Sequence, residues 1–402
     1  MFLSPPEEAL QHALDHIFGA NPPDVLGVAV SGGGDSLALL DMLRRWGGAH
    51  LKVVSVNHGL RAEAAEELAL VAAYAADHGL SHDSLTWAWD GVGNLQQAAR
   101  DGRRIAIAQW AKEQGICCVA LGHTKDDQAE TFLMRLARGS GVDGLAAMAP
   151  RYEQAGITWV RPLLEVGRES LRVYLREQYI TWADDPSNED PRFDRVKARQ
   201  MLSTLGTLGL TVDRLVQTAD HMAREKEVAG WALIMARDTC VTHDAGDVIL
   251  RRAIADTLPA ALLTRLLAES LSKVSGAAYR PRFRAVQAAM QAERPMSLHG
   301  CLILPAPTGL RITREWAAIQ NLRCCVTEIW DGRWQIQPPE GADVEGLHIG
   351  ALSAQGLRQM EAPPSPGLPR QSLLSSPAVW CGDTLIAAPL AGLKNGWKVS
   401  LV

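Results

Sequence analysis

The segment from Ser31 to Ser36 contains the residue types that hold phosphate groups in proteins. Three consecutive glycines, Gly32, Gly33 and Gly34, allow backbone N–H groups to approach an oxyanion closely. Ser31 and Ser36 add hydroxyl donors, and a helix that begins after the loop would add its positive end. The segment lacks both the lysine of a Walker loop and the spacing of a dinucleotide fingerprint. It therefore predicts another kind of anion-binding loop, and the alternative is an ordinary glycine-rich turn.

Asp35 stands inside this loop, where a carboxylate is unfavourable beside bare phosphate unless a cation lies between them. Mg²⁺ commonly bridges a carboxylate and the phosphates of a nucleotide. The sequence therefore predicts that Asp35 contacts magnesium.

A second concentration of reactive side chains occupies residues 122–131. It holds one imidazole, one ammonium group and three carboxylates, those of His123, Lys125, Asp126, Asp127 and Glu130. Asp127 and Glu130 are three residues apart and share a face if the segment is helical. Two converging carboxylates are able to hold a metal, or to orient and deprotonate an amine. The alternative is structural: Asp126 or Asp127 caps the helix and Glu130 completes a capping box.

The segments around these loops alternate between strand-like and helix-like patterns. Apolar runs typical of buried strands occupy residues 25–30, 51–56 and 116–121. Helix-favouring patterns occupy residues 37–43, 63–76, 94–114 and 127–136. This alternation predicts an α/β fold with a doubly wound parallel sheet, whose ligands bind beyond the carboxyl ends of the strands. Both loops follow such ends, as does the segment 58–61, so we expect them to form one site.

The rest of the chain is divided by changes in composition. Helices are predicted up to residue 177 and at 192–202, on either side of a turn-forming cluster at 184–188. Residues 210–291 have a helical composition, and β-like pieces follow beyond residue 297. We therefore predict a catalytic domain over 1–210, a helical region over 211–295 and a C-terminal α+β region over 296–402.

Bulk composition excludes several classes of protein. The chain has 402 residues, 47% of them hydrophobic, which suffices for a sizeable core. No run of about 18 apolar residues and no secretory leader is present, which predicts a cytoplasmic protein with no membrane partner. Seven cysteines are too few for a disulfide scaffold. The adjacent pairs Cys117–Cys118 and Cys324–Cys325 lack metal-site spacing and are predicted to be buried and inert.

The formal net charge of −5 means that the whole molecule does not attract nucleic acid, so any such partner must meet local basic patches. One candidate patch consists of Arg280, Arg282 and Arg284 around Phe283, a mixture that is able to contact phosphates and stack on bases. The alternative is a solvated helix start after Pro281.

The ordered motifs resemble those of the bacterial tRNA(Ile)-lysidine synthetases, a family of the PP-loop ATP pyrophosphatase superfamily. The specific motifs lie in the first half of the chain: SGGGDS, VNHGLR, AARDGRR, GHTKDDQAET, RLARGSG, RPLL and DDPSNEDPRFDR. Weaker similarity continues through LHGCLIL, RITRE and AVWCGDTLIAAP, so the resemblance covers nearly the whole chain.

The resemblance implies an adenine nucleotide alpha hydrolase-like fold and a reaction in two steps. The family binds isoleucine tRNA with a CAU anticodon and uses ATP to adenylate O2 of the wobble cytidine. The amine of L-lysine then attacks C2 and expels AMP, which leaves lysidine. The implied cofactors are ATP, as a substrate, and Mg²⁺.

The resemblance also assigns roles to matching residues. The implied phosphate-binding residues are Ser31, Gly32, Gly33, Gly34, Asp35 and Ser36, with Asp35 also the metal contact. The implied catalytic residues are Asp35, Arg103, His123, Asp127 and Glu130. The implied substrate-binding residues are Asp127, Glu130, Arg195 and Arg199. These two arginines could line the approach of the tRNA together with Arg161, Arg168 and Arg192, and the alternative for some of the five is surface ion pairing with neighbouring acids. The family pattern is broken at Arg104, Thr124 and Val196, where tyrosine, histidine and asparagine are usual.

Two other functions remain as alternatives at this stage. A PP-loop enzyme that thiolates tRNA would need a reactive cysteine or an iron–sulfur cluster, and no cysteine lies in the loops named above. A nucleotide- or RNA-binding protein without turnover would not need Asp35, Asp127 and Glu130.

Overall fold

The computed structural model describes residues 3–57, 64–88, 95–183, 192, 194–251, 257–277, 279–360 and 367–402. The chain divides into two compact units, Met1–Glu227 and Val228–Val402. The three-domain division with boundaries near residues 210 and 295 stays a prediction. No helix in the described ranges has the length and apolar character needed to cross a membrane.

The first unit alternates strands and helices. Its strands are β1 (Val25–Ala29), β2 (His50–Asn57), β3 (Ser81–Thr86), β4 (Cys118–Leu121), β5 (Arg151–Gln154) and β6 (Ile157–Val160). Its helices are α1 (Pro5–Phe18), α2 (Gly34–Trp46), α3 (Ala64–Asp77), α4 (Leu95–Glu113), α5 (Lys125–Ala137), α6 (Val142–Leu145), α7 (Arg168–Glu177) and α8 (Asp194–Gly206). A long helix, α9 (Val212–Cys240), begins in this unit and runs into the second.

The six strands form one sheet in the order β3-β2-β1-β4-β6-β5. All neighbouring pairs are parallel except β5–β6, which is an antiparallel hairpin at the edge. The predicted parallel, doubly wound sheet is therefore confirmed. The strand order reverses between β1 and β4, so the connections from these two strands leave in opposite directions and open a crevice at their carboxyl ends.

Strand β1 is buried on both faces because its side chains alternate between two cores. Leu26 and Val28 pack in the cluster that includes residues of α1, α2 and α7. Ala29 packs in the other cluster, with Ile107 and Trp110 of α4. A continuous apolar run is what such a doubly covered strand requires, which is why β1 is visible in the sequence.

The sequence did not reveal β3, β5 or β6. Strand β3, with the sequence SHDSLT, lies at one edge and buries none of its residues fully. Strand β5 is mostly exposed at the other edge. Edge strands need neither a continuous apolar run nor strict alternation, so both were missed.

A buried carboxylate fixes helix α7 against helix α2. Asp41 of α2 accepts hydrogen bonds from the hydroxyl groups of Tyr74 and Tyr174, each at 2.5 Å. Its carboxylate also pairs with Arg44 and Arg45. Although burial acts to raise the pKa of Asp41, these tyrosines and arginines lower it, so the group stays ionised and holds α7 beside the start of α2.

The second unit consists of antiparallel sheets with helices. Its strands are β7 (Val241–Asp244), β8 (Asp247–Arg251), β9 (Met296–Leu298), β10 (Cys301–Ala306), β11 (Gly309–Arg314), β12 (Cys324–Cys325), β13 (Trp334–Gln337), β14 (Leu347–Ala351), β15 (Pro377–Cys381), β16 (Thr384–Ala387) and β17 (Lys398–Leu401). Its further helices are α10 (Ala260–Ser275), α11 (Phe283–Met290), α12 (Trp316–Ile319), α13 (Ser353–Gln359) and α14 (Arg370–Leu374). The sheets have the orders β7-β8-β11-β10-β9, β12-β14-β15-β16 and β13-β17.

The prediction of helix throughout residues 210–291 is wrong at the β7–β8 hairpin. Strand β8 pairs with β7 on one side and with β11 on the other. Val248 and Leu250 of β8 are buried in the core of this unit. A hairpin of nine ordered strand residues between two long helices does not alter the average composition of the region, so composition alone did not reveal it.

Candidate active site

The glycine loop joins the end of β1 to the start of α2. Gly32 has φ +87°, a left-handed conformation in which a side chain is strained, and a Cβ there would lie 2.9 Å from the carbonyl oxygen of Glu67. Gly33 is the N-cap of α2 with extended backbone angles. The first N–H groups of α2 have no partner within the helix, so they are oriented to receive an anion at the loop.

Two serines close the loop on itself. The backbone N–H of Ser31 donates to Oγ of Ser36 at 3.1 Å, and that hydroxyl donates to the carbonyl oxygen of Gly33 at 2.9 Å. Ser31 Oγ lies 3.3 Å from Ser36 Oγ. Ser36 is buried and Ser31 is exposed. The hydroxyls therefore hold the curvature of the loop, and Ser31 also faces solvent.

The loop after β4 touches the glycine loop directly. A Cβ on Gly122 would lie 3.0 Å from Cα of Ser36 and 3.1 Å from the carbonyl oxygen of Asp35. Only a residue without a side chain allows this approach. The two loops predicted to carry the chemistry thus meet at the crevice between β1 and β4.

Helix α5 begins beyond Gly122 with a buried capping box. Thr124 is the N-cap, and its backbone N–H donates to Oδ2 of Asp127 at 2.8 Å. The Thr124 hydroxyl lies 3.1 Å from the same oxygen and accepts the backbone N–H of Asp127 at 3.4 Å. The capping alternative, with Asp126 or Asp127 as the cap and Glu130 completing the box, is wrong, because Thr124 is the cap and Asp127 completes the box. The other carboxylate oxygen of Asp127, Oδ1, contacts Arg168 and Arg195.

Glu130 lies one helical turn further along α5, on the same face as Asp127, and is fully buried. Three guanidinium groups surround its carboxylate. Nε of Arg195 lies at 2.8 Å, Nε of Arg199 at 2.8 Å and Nη1 of Arg168 at 3.5 Å. The structure thus brings together both predicted acids and both predicted substrate-binding arginines.

Arg168 joins the acidic side chains of the two loops. Its Nε lies 3.1 Å from Oδ2 of Asp35 and its Nη2 lies 3.0 Å from Oδ1 of Asp127. Its backbone N–H donates to Oδ2 of Asp126 at 2.7 Å. The sequence placed Arg168 only among arginines along the approach. The signal available in the sequence was Gly167, the N-cap of α7, because Arg168 follows it directly and therefore lies in the first turn of that helix.

The two aspartates of this cluster have pKa values shifted in opposite directions. Burial raises the pKa of Asp35, and the charge of Arg168 only partly offsets this. Burial also acts to raise the pKa of Asp127, but the charges of Arg195 and Arg168 outweigh it and lower the pKa. Asp127 is therefore a firmly ionised group, whereas Asp35 takes up a proton more readily.

His123 is a neutral imidazole beside the same cluster. Burial lowers its pKa, and the charge of Arg161 lowers it further against the opposing effect of Asp127. Arg161 Nε donates to Nδ1 of His123 at 3.3 Å, which leaves the proton of the ring on Nε2. The Arg161 guanidinium is held by the carbonyl oxygen of Ala149 at 2.7 Å and by the ring of Tyr152, 4.2 Å from its centroid.

Arg103 is the predicted catalytic residue that the structure does not join to the cluster. It lies half-buried on α4, and within the described ranges it makes no ion pair with the acids. Burial lowers its pKa, and the neighbouring Arg100 adds to this effect. Arg100 itself is electrostatically coupled to Arg195 and Asp127, so α4 directs positive charge towards the site through a residue that the sequence analysis did not name.

Several predicted features lie outside the described residues, namely the segments 58–61 and 184–188. Arg192 lies on an exposed turn. Of the cysteines predicted to be buried, Cys118 is buried, Cys324 is partly buried, and Cys117 and Cys325 are exposed. That prediction was therefore wrong for the two exposed thiols, which lie where β4 and β12 meet their loops.

Comparison with known proteins shows the family to which the chain belongs. A family model described as a PP-loop domain matches residues 6–205, which include both loops. A tRNA(Ile)-lysidine synthase of Ruegeria pomeroyi is 46% identical over 401 residues, covering 97% of this chain and 95% of the relative. The chain belongs to the tRNA(Ile)-lysidine synthase family.

More distant members share a large part of the chain. A tRNA(Ile)-lysidine synthase of Wolbachia pipientis is 33% identical over 324 residues, covering 76% of this chain and 75% of the relative. Among solved structures, a U34-tRNA thiolase of Methanococcus maripaludis is similar with a TM-score of 0.45 and 15% identity, covering 54% of this chain and 78% of that chain.

The structure explains what the side chains do where the usual family residues are absent. Thr124 caps α5, as described above. Arg104 pairs with Asp101 on its own helix and donates to Oε1 of Gln154 at 3.3 Å. Val196 is buried within α8. All three therefore support helices of the site's framework.

Proposed function

We propose that the chain joins L-lysine to the wobble cytidine of isoleucine tRNA with a CAU anticodon, consuming ATP and releasing AMP and diphosphate. The enzyme is an ATP-dependent ligase of the tRNA(Ile)-lysidine synthase family. One observation carries the proposal: in a chain 46% identical to such a synthase along nearly its whole length, the phosphate loop and the acids of α5 meet in one cluster.

The glycine loop is proposed to hold the phosphates of ATP. Backbone N–H groups at Gly32, Gly33 and Gly34 would bind phosphate oxygens, with Ser31 and Ser36 as hydroxyl donors. Negative charge grows on the departing diphosphate when O2 of the cytidine attacks the α-phosphorus, and fixed amide dipoles at a helix start stabilise that charge without reorganising.

Asp35 is proposed to contact Mg²⁺ together with phosphate oxygens. Its carboxylate fits this role because it lies in the first turn of α2, is 25% exposed, and offers the hard oxygen ligands that Mg²⁺ prefers. When bound, the ion neutralises phosphate charge. Release of Asp35 from Arg168 is required before the carboxylate can act in this way.

Asp127 and Glu130 are proposed to hold lysine. Asp127 stays ionised and therefore attracts the ammonium form of an amine. The attack on C2 uses the deprotonated amine, so a proton must leave as the new bond forms, and Oδ1 of Asp127 is placed to accept it while Oδ2 stays bound to the helix cap. Arg195 and Arg199 pair with Glu130 and would meet the carboxylate of the substrate.

His123 is proposed to face the activated cytidine together with Arg103. A neutral imidazole with its proton on Nε2 donates a hydrogen bond without adding a full charge, which suits an oxygen that gains negative character only during the reaction. The base must leave its stack to reach this crevice. Anticodon loops make that extrusion cheap because their bases are not paired.

The arrangement disfavours tRNA thiolation. Cys117 and Cys118 stand at the start of β4, whereas the cluster lies beyond the opposite end of that strand. The strand has four residues, a length of about 13 Å. A sulfur-transfer thiol would have to reach the bound base, and Cys117 starts from the wrong end of the strand.

Release of AMP tests the proposal and separates it from both alternatives. With ATP, Mg²⁺, L-lysine and isoleucine tRNA present, we expect stoichiometric AMP and lysine attached to the tRNA. Omission of lysine should abolish the attachment, whereas the reaction of a thiolating enzyme would not depend on lysine. A protein that only binds nucleotide or RNA would release no AMP. Asp127→Ala should abolish the attachment, whereas Asp77→Ala, an exposed carboxylate at the end of α3, should not.

A further inference from the structure

Every carboxylate proposed to bind a cation is already paired with arginine in this structure. Asp35 contacts Arg168, Asp127 contacts Arg168 and Arg195, and Glu130 contacts Arg168, Arg195 and Arg199. Arg168 is the one arginine of this cluster, within the described part of the chain, that contacts all three acids. A substrate ammonium group or a metal ion therefore competes with Arg168 for the same oxygens.

Displacing Arg168 without compensation is costly. Its side chain is 18% exposed, and the carboxylates it contacts are 25%, 11% and 0% exposed. Charges this far from water interact strongly and lose much when they are separated. Lysine alone would have to break these contacts and leave a guanidinium ion without a partner in a protected site.

A bound nucleotide supplies the missing partner. Arg168 Nε lies 3.1 Å from the carboxylate of Asp35, which belongs to the first turn of the phosphate-binding helix. Phosphate groups at that helix start carry several negative charges and accept two parallel hydrogen bonds from a guanidinium group. Tyr174 donates a hydrogen bond to Asp41 at 2.5 Å and so anchors α7 to α2, and the proposed movement is therefore confined to the Arg168 side chain.

We propose that Arg168 is a positioning residue that occupies the lysine and metal oxygens until ATP draws its guanidinium onto the phosphates. Binding is then ordered, with nucleotide first and lysine second. The same movement of Arg168 frees Asp35 to bind the metal ion and frees Oδ1 of Asp127 to bind the amine of lysine. This inference rests on the proposed function of the site.

Calorimetric titration of the full-length protein with L-lysine tests this order. We expect the wild-type protein to bind lysine about tenfold more tightly with magnesium and α,β-methylene-ATP present than without them, a ratio typical of coupled sites. In Arg168→Gln the ratio should fall to about one, because lysine then reaches Asp127 and Glu130 without displacing a cation. The variant should fold, since Arg195 and Arg199 still neutralise Glu130.

Two further variants complete the test. Arg168→Lys keeps one charge but not the fork of donors, so it should keep part of the nucleotide dependence. Arg176→Gln removes an exposed arginine from the other end of the same helix and should keep the wild-type ratio. The proposal is overturned if wild type binds lysine equally with and without nucleotide, or if Arg168→Gln keeps the full ratio. If wild type binds neither ligand, the proposed function itself fails.

Discussion

At the scale of single residues, Asp35 and Asp127 both contact the guanidinium group of Arg168, and their pKa values are shifted in opposite directions. Asp127 is stabilised as an anion by Arg195 and Arg168, whereas burial dominates at Asp35 and disfavours its charge. A cation that replaces Arg168 beside Asp35 would stabilise the ionised form of this carboxylate. A raised pKa of this kind is common for carboxylates at functional sites.

We predict that asparagine at these two positions changes stability in opposite directions at pH 7. Asp127→Asn should lower the free energy of unfolding by at least about 1 kcal/mol, since it removes a charge with a lowered pKa and weakens a helix cap. Asp35→Asn should raise it, since it removes a charge with a raised pKa. Urea unfolding at pH 7 measures both changes.

The pH dependence of these two effects follows from the signs of the shifts. The stabilisation by Asp127 is present above the ordinary carboxyl pKa of about 3.9 and is lost as the pH falls through its lowered pKa. The cost of ionised Asp35 is present above its raised pKa and absent below about pH 3.9. Equal destabilisation by both variants at pH 7 would contradict this assignment, and Asp77→Asn serves as the exposed control.

At the scale of elements, the site depends on the start of α5 and on the contact between two loops. Thr124 ties the backbone of the β4 loop to Oδ2 of Asp127, and Gly122 allows that loop to lie against the glycine loop. Positions in the loops rather than in the strands therefore determine where the acids stand relative to the phosphates.

We predict that Thr124→Ala costs about 1 kcal/mol of stability, the usual value of an N-cap side chain. It should also reduce turnover more than it raises the KM for ATP, because Oδ2 of Asp127 loses a contact while the glycine loop is untouched. Thr124→Ser should restore both quantities, because the hydroxyl is retained. Steady-state kinetics with thermal unfolding would refute the idea if serine failed to rescue turnover.

We predict that Gly122→Ala weakens ATP binding by at least about tenfold. The added methyl group would lie 3.0 Å from Cα of Ser36, so the backbone of one loop must shift. Gly206→Ala, at the end of α8 with no heavy atom within 4 Å of the added methyl group, is the matched control and should bind ATP normally. Nucleotide titration of both variants decides the point, and normal binding by Gly122→Ala would rule out close apposition of the loops.

The sequence predicted several buried elements and the residues that stand at their ends, but it did not reveal the buried strand β6. Strand β1 and the acids of α5 were visible because continuous apolar runs and clustered polar residues leave a local signal. Edge strand β3 has no such signal. The central role of Arg168 was missed for a different reason: its partners Asp35 and Asp127 are 133 and 41 residues away, and no local pattern encodes such contacts.

At the scale of the whole molecule, a chain with net charge −5 must bind a polyanion through local surfaces. In the second unit, Arg282 and Arg284 are exposed beside Phe283, which is 63% exposed, and Tyr279, which is 73% exposed. A ring with that much free surface is available for stacking, and the flanking arginines are available for phosphates. This patch is the place where we expect the second unit to contact tRNA.

We predict that the double variant Arg282→Gln and Arg284→Gln lowers affinity for tRNA and reduces the slope of log affinity against log salt by about two. The control is Arg358→Gln with Arg370→Gln, which removes the same charge from exposed positions elsewhere in the second unit. Filter binding at several salt concentrations compares the two. Equal losses in both variants would indicate a general charge effect and contradict a local contact.

Mass spectrometry of nucleosides tests the central claim most directly. Isoleucine tRNA with a CAU anticodon is incubated with the protein, ATP, Mg²⁺ and L-lysine, then digested and analysed. The account predicts that the wobble cytidine, and no other nucleoside, gains the mass of lysine less one water, and that the gain disappears with Asp127→Ala. An unchanged cytidine with the wild-type protein, or a gain of sulfur in its place, would contradict the account.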